Sequence, residues 1–298
     1  MKNVLLALLA ISCLACSPTE PERPPIIDMH LHDYGEGRYY VATAADGTKS
    51  PATYEEYKKQ VFAYFEQYNV VKAVVSTIGG PWKPDSAGIF IPGTYLEEPP
   101  TDTLAFKELI ESGNLKVFGE IGAVYVGRTL SDSLYDPYLE LCNRYNIPVA
   151  IHTGGGPPNV TYFSPRFRIA KGDPYTVEDV LVKYPDLKIY LMHAGTSYHE
   201  HTLELMRTHP KVYVDLGVIL WWDTPEQDFA EAFLRKAKRY GYIDRVMYGS
   251  DQMVWPHAIE KSIKQLESYD FLTEQDKRDI FYHNAKRFLD LEEQEMLN

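Results

Sequence analysis

The chain has 298 residues, 45% hydrophobic and 24% charged, which suits one large globular domain or two small ones. Its formal net charge of −12 and the lack of any long Lys/Arg run argue against nucleic-acid binding, because a phosphate backbone needs a basic surface. Tyrosine is abundant at 23, which suits an aromatic-lined pocket or many half-wet surfaces.

Residues 1–15 read as a signal peptide, with Lys2 as the charged start and Val4–Leu14 as an apolar run too short to span a bilayer. Leu14-Ala15-Cys16 resembles a bacterial lipoprotein cleavage box, the alternative being an ordinary signal peptide with a chance cysteine. The expectation is an exported protein with a lipid anchor at Cys16, on the periplasmic or surface side of a bacterial membrane. Removing residues 1–15 takes away Lys2 and no acid, so the charge moves from −12 to −13. Residues 16–25, rich in Pro, form a semi-rigid tether. Cys13 leaves with the signal and Cys16 is the anchor, so residues 26–298 hold Cys142 alone and no intrachain disulfide. Cys142 shares a helix face with Tyr138, Leu141 and Tyr145, as a buried thiol would.

Strand-like and helix-like runs then alternate to the end. Ile26–His30 reads as the first strand. Tyr54–Tyr68 is a helix, with Tyr54, Tyr57, Val61, Phe62, Phe65 and Tyr68 near the 3.6 period. Val71–Thr77 is the second strand, and Gly88–Ile91 a weak third within a Gly/Pro-rich stretch. Helix Leu104–Ser112 precedes strand Lys116–Glu120, and helix Leu134–Tyr145 precedes strand Val149–His152. A long loop, Thr153–Pro174, leads to helix Val177–Tyr184 and strand Lys188–His193. A helix near Glu200–Thr208, strand Val212–Asp215, helix Pro225–Tyr240 and strand Arg245–Ser250 follow, and helices near Ala258–Ser268 and Glu274–Leu291 close the chain.

Eight strand slots with intervening helices predict a parallel sheet covered by helices. The strands are continuous apolar runs, as expected for strands buried on both sides. His30, Glu120, His152, His193 and Asp251 stand at the ends of the first, fourth, fifth, sixth and eighth runs, with His32 two residues past the first. In an open doubly wound sheet these ends would lie too far apart to share an ion. In a TIM-type (β/α)8 barrel they converge on one mouth, so a single barrel domain over residues 26–298 is predicted. Imidazoles and carboxylates gathered there describe a metal site that activates water.

Together, His30-Leu-His32, Val149-Ala-Ile-His152-Thr-Gly, Tyr190-Leu-Met-His193-Ala-Gly and Tyr248-Gly-Ser-Asp251 resemble the amidohydrolase superfamily. The nearest branch by this pattern contains aminocarboxymuconate-semialdehyde decarboxylase-like and sugar-lactonase-like proteins. The resemblance implies that His30, His32 and His152 are metal ligands and that His193 binds a second metal or polarises a carbonyl. It implies that Asp251 is a ligand that also takes a proton from water. Gly119-Glu120-Ile-Gly122 resembles the corresponding motif of TatD-type nucleases, where the glutamate is a ligand. The alternative is an interior glutamate bonded to a neighbour, so one or two metals per chain remain open. The implied cofactor is a divalent metal, zinc first, although Mn, Fe or Ni suit the same ligands.

For substrate contact, Arg166 and Arg168 in the long loop offer planar forks for a carboxylate or phosphate, unless they brace the loop. Trp221, Trp222, Trp255 and Tyr125 are candidate pocket walls. Arg128 and His257 are weaker candidates, and His199, His201, His209 and His283 read as surface or structural. The expected function is a metal-dependent hydrolase that attacks a lactone, ester or amide of a small molecule with activated water. The rivals are a decarboxylase or hydratase on the same scaffold, and an inert binding lipoprotein. A homo-oligomer is compatible with the sequence.

Overall fold

The computed structural model describes residues 23–77, 88–223 and 225–292. The expected signal peptide, Cys16 and most of the tether therefore lie outside the described residues.

Eight parallel strands form the framework: β1 Ile26–Asp33, β2 Val70–Thr77, β3 Phe90–Pro92, β4 Phe118–Ile121, β5 Val149–His152, β6 Ile189–Met192, β7 Val212–Asp215 and β8 Val246–Met247. They pair as β1-β2-β3 and β4-β5-β6-β7-β8. Backbone hydrogen bonds join the two groups at both seams. Thr94 N–H donates to Gly119 O (3.0 Å) and Val117 N–H to Pro92 O (3.1 Å), while Met29 N–H donates to Tyr248 O (2.9 Å) and Asp251 N–H to His30 O (2.7 Å). The sheet is thus closed, and the expected barrel holds. The first strand runs past His30 to Asp33, so His32 lies inside it. The eighth is shorter than Arg245–Ser250 because its last residues leave the ladder. Ser250 N–H donates to the Asp28 carboxylate (2.9 Å) instead of to a neighbouring strand.

The helices are α1 Tyr54–Tyr68, α2 Thr103–Glu111, α3 Asp136–Tyr145, α4 Val160–Phe163, α5 Glu178–Lys183, α6 His199–Thr208, α7 Glu226–Tyr240, α8 His257–Ser268, α9 Glu274–Arg278 and α10 Asn284–Phe288. Helix α1 shows how local sequence sets these limits. Thr53 caps its start by accepting from Glu56 N–H, and Asn69, at φ 53°, ends it by donating to Phe65 and Glu66 carbonyls. Its buried face is Tyr57, Val61, Phe65 and Tyr68. Helix α7 buries Ala230, Phe233, Leu234 and Ala237 and ends at Gly241, φ 77°.

Two predicted helices are divided. Ser133–Tyr135 is a separate 3-10 turn before α3, started by Asp132 accepting from Leu134 N–H. The closing run is α9, a π turn at Asp279–His283, and α10. The wide turn allows docking on β8: Tyr248 N–H donates to Ile280 O (2.9 Å), and Asn284 Nδ2 donates to Ile243 and Val246 carbonyls (2.7 Å each).

Ile27, Met29, Val74, Ile91, Val117, Ala150, Tyr190, Met192 and Met247 pack together inside the barrel, with Ala285 and Phe288 of α10 against them. A larger cluster fills the layer between strands and helices. Cys142 is buried and unpaired, as expected. The strand ends are therefore mounted on a rigid, dry support, and the mouth above them is where side chains with chemistry meet.

Candidate metal centre

Side chains from five strand ends meet at the mouth: His30 and His32 from β1, Glu120 from β4, His152 from β5, His193 just past β6 and Asp251 beyond β8. All are buried. The Glu120 carboxylate lies between two pairs of imidazoles. Its Oε2 is 3.1 Å from His32 Nε2 and 3.4 Å from His30 Nε2. Its Oε1 is 2.8 Å from His152 Nδ1 and 3.6 Å from His193 Nε2. Asp251 Oδ1 is 3.1 Å from His32 Nε2 and 3.6 Å from His30 Nε2. Three trios have ligand atoms within 4.8 Å of one another: His30/His32/Glu120, His30/His193/Asp251 and Glu120/His152/His193.

The outer nitrogens of three imidazoles determine what the inner ones present. His30 Nδ1 lies 3.1 Å from Asp215 Oδ2. His152 Nε2 is 2.8 Å from Gly155 O, and His193 Nδ1 is 3.0 Å from Gly217 O. A carbonyl or carboxylate oxygen can only accept, so each outer nitrogen carries the proton. Each neutral ring then turns a lone pair inward, towards carboxylate oxygens that are also acceptors. Asp251 Oδ1 is buried, with His32 Nε2 3.1 Å away. Such convergence of acceptors requires cations, either shared protons or metal, and outward donation to a fixed acceptor is how proteins orient metal-binding imidazoles. The donor set fits a divalent metal.

Electrostatics agree. Burial lowers the His30 pKa, but Asp251 and Asp215 outweigh it and hold the ring well above its usual value. His32 is pushed up to about 9: burial opposes, and hydrogen bonds to Asp251 and Glu120 prevail. Burial would raise Glu120 and Asp251, yet the surrounding imidazoles hold both below the usual carboxylate range.

The backbone bends sharply around it. His193 (φ 61°), Ala194 (47°), Thr196 (46°), Val218 (56°), Asp251 (47°) and Met253 (47°) adopt left-handed backbone that costs non-glycine residues about 1–3 kcal/mol each. Gly217 sits where a Cβ would stand 2.5 Å from His30 Nδ1 and 3.1 Å from Asp251 Cβ. Chain and ring can approach this closely only with glycine there.

A cavity of about 430 Å³ opens over the cluster. Its floor is His32, Glu120, His152, His193 and Asp251, and its walls include Tyr34, Tyr40, Tyr95, Tyr125, Trp222 and Trp255. Of the predicted walls, Tyr125, Trp222 and Trp255 line the cavity. Trp221 does not: it is buried beneath, with Nε1 donating to Ser250 O (2.7 Å).

The two arginines are also elsewhere. Arg166 is 62% exposed and pairs with Glu98 at 2.7 Å, and Arg168 donates to the carbonyls of Pro165 and Phe167. Both brace the long loop. Arg128 joins the same network through Glu98 and Asp132. His257 faces Asp46 at 3.4 Å, and His201 pairs with Asp173 at 2.9 Å, both away from the lining. Asp215 was missed by sequence reasoning, although Val212-Tyr-Val-Asp215 ends in a carboxylate at the same register as the other strand ends. Tyr34, Tyr40, Glu226 and Phe229 also line the cavity without a motif to announce them.

A family model described as amidohydrolase (Amidohydro_2) matches residues 27–291. The chain belongs to the amidohydrolase family. Among curated proteins, protein fluG of Emericella nidulans is 25% identical over 164 residues, which is 50% of this chain and 18% of that protein. The amidohydrolase chain thus spans less than a fifth of that relative's length.

A solved TIM-barrel protein of Bordetella bronchiseptica covers 89% of this chain and 98% of its own at 18% identity, TM-score 0.65. A probable 2-pyrone-4,6-dicarboxylic acid hydrolase of Acinetobacter baumannii, with citric acid bound, covers 89% and 99% at 13% identity, TM-score 0.59. A 5-carboxyvanillate decarboxylase of Novosphingobium aromaticivorans, with bound manganese, covers 90% and 97% at 15% identity, TM-score 0.56. At these identities the likeness is one of fold, and the fold carries both hydrolases and decarboxylases.

Proposed function

We propose that this amidohydrolase hydrolyses an ester, lactone or amide of a small molecule at a site where Glu120 would help to hold two divalent ions. The observation that carries the reading is the division of the Glu120 carboxylate, one oxygen towards His30 and His32 and the other towards His152 and His193. His30, His32 and Asp251 would hold one ion, and His152 and His193 the other. Divalent ions at such a site supply an acidified water and Lewis-acid polarisation of a carbonyl. Zinc suits the ligands, and manganese, present in the Novosphingobium decarboxylase structure, is the alternative.

The protein's own groups do the rest. Asp251 is held below the usual carboxylate range and lines the cavity, so it serves as the base. Its second oxygen is 3.8 Å from His193 Nδ1. Burial first, then the neighbouring Tyr40 for Tyr34 and Glu120 for Tyr125, hold both phenols well above the usual value. These phenols keep their protons at neutral pH and can donate to oxygen charge that builds during acyl transfer. The aromatic walls exclude water and bind apolar substrate surface.

Decarboxylation loses the feature that favoured it, because Arg166 and Arg168 are engaged outside the cavity. No Lys or Arg lines the cavity among the described residues. The test is a panel of aryl esters, lactones and anilides with metal-loaded protein in ¹⁸O-water. The proposal expects one ¹⁸O in the acid product; CO2 release without ¹⁸O incorporation contradicts it. We further propose export and anchoring at Cys16, supported by the sequence of residues 1–25 alone. Membrane partitioning of the full chain that persists in Cys16→Ala would refute it.

A further inference from the structure

The cavity has a third carboxylate that the chemistry above leaves unused. Glu226 opens α7 and lines the cavity beside Trp222, four residues earlier, and Phe229, three residues later. Trp222 also packs edge-on against Trp255 at 5.6 Å between centroids. Tyr34 and Tyr40 lie 5.6 Å apart on the same lining. Glu226 is half-buried. Among the described residues its side chain has no cationic partner: its own backbone N–H donates to it, and the charge that acts on it is the like charge of Asp223. Burial raises its pKa, its own N–H opposes the rise and Asp223 adds to it, as expected of a carboxylate that lacks a cation.

An unpaired carboxylate in an aromatic wall is a receptor for positive charge. Rings attract a cation through their faces, and the carboxylate adds a direct partner in a partly dry setting. We infer that the amidohydrolase takes substrates bearing an ammonium or quaternary amine, held between Glu226 and the Trp222, Trp255 and Phe229 rings while the scissile carbonyl lies at the metal centre. This rests on the hydrolytic reading for the reacting end only. A carboxylate at the distal end would meet Glu226 with like charge and, among the described lining residues, no cation to hold it.

The test uses benzyltrimethylammonium, which has no lone pair to offer a metal, against uncharged benzyl alcohol. Binding to the metal-loaded protein is read from tryptophan fluorescence and calorimetry. The cation should bind about tenfold tighter than the alcohol. Glu226→Gln should abolish most of that preference, and Glu226→Lys should reverse it, each with an unchanged melting temperature. No binding of the cation, equal binding of the two probes, or a preference that survives in Glu226→Gln would overturn the inference. Because the readout is binding, a protein that prefers the cation but hydrolyses nothing would sink the hydrolase reading and leave this one standing.

Discussion

The carboxylate of Asp215 links two ligands of the candidate metal centre: its Oδ2 accepts from His30 Nδ1 at 3.1 Å, while its Oδ1 accepts from the backbone N–H of His193 at 2.9 Å. Oδ1 also accepts from Gly217 N–H at 2.9 Å. One fully buried side chain therefore fixes the tautomer of one imidazole and the backbone position of the other. In Asp215→Asn an amide N–H facing His30 would move the ring proton to Nε2, aimed into the site. Metal affinity should fall about 10–100-fold with the barrel intact. Titration with a metal chelator, alongside circular dichroism, checks this.

Asp251→Asn would remove the proposed base and weaken one proposed metal ligand. Turnover should fall by about 10²–10⁴ while the melting temperature of the metal-free protein changes little. Steady-state kinetics at measured metal content separate the two effects. Full activity at full occupancy would remove Asp251 from the mechanism.

Gly217→Ala is expected to cost about 1–3 kcal/mol, because the added carbon would stand 2.5 Å from His30 Nδ1 between buried, immobile neighbours. Metal content should fall with it. Gly155→Ala, where a Cβ meets nothing within 4 Å, is the control for the melting temperature.

Stability of the metal-free protein should depend on pH through the raised histidines. Their folded-state pKa values lie above the unfolded value of 6.5, with His32 at about 9. Protonation therefore favours the folded state. This contribution is fully present below about 6.5 and is lost as pH rises through about 9. Metal displaces these protons, so the stabilisation it gives should grow over the same interval. Melting curves from pH 6 to 10, with and without zinc, should diverge towards high pH; parallel curves would contradict the assignment.

Much of the centre was legible in the sequence because barrel strands are short, buried and parallel. A polar residue ending an apolar run sits at the mouth, by alternation for His152 after Val149-Ala-Ile and by the left-handed backbone at His193 (φ 61°) after Ile189-Tyr-Leu-Met. Asp215 follows the same alternation as His152, two residues after Tyr213 on β7. Loop residues do not obey it. Arg166 and Arg168 lie 14 and 16 positions beyond His152, and the loop's own path turns them towards Glu98 and nearby carbonyls. Trp221 and Trp222 are adjacent in sequence, yet a turn after β7 sends the first into the core and the second into the cavity. Glu226 carries no motif; only the cavity gives it meaning.

The most direct test is metal stoichiometry by elemental analysis on protein lacking residues 1–16, with Glu120→Gln measured beside it. About two divalent ions per chain are expected, falling to one or none in Glu120→Gln with loss of hydrolysis. One ion in both proteins would contradict a part for Glu120 in holding a second ion, and none in either would overturn the metal centre itself.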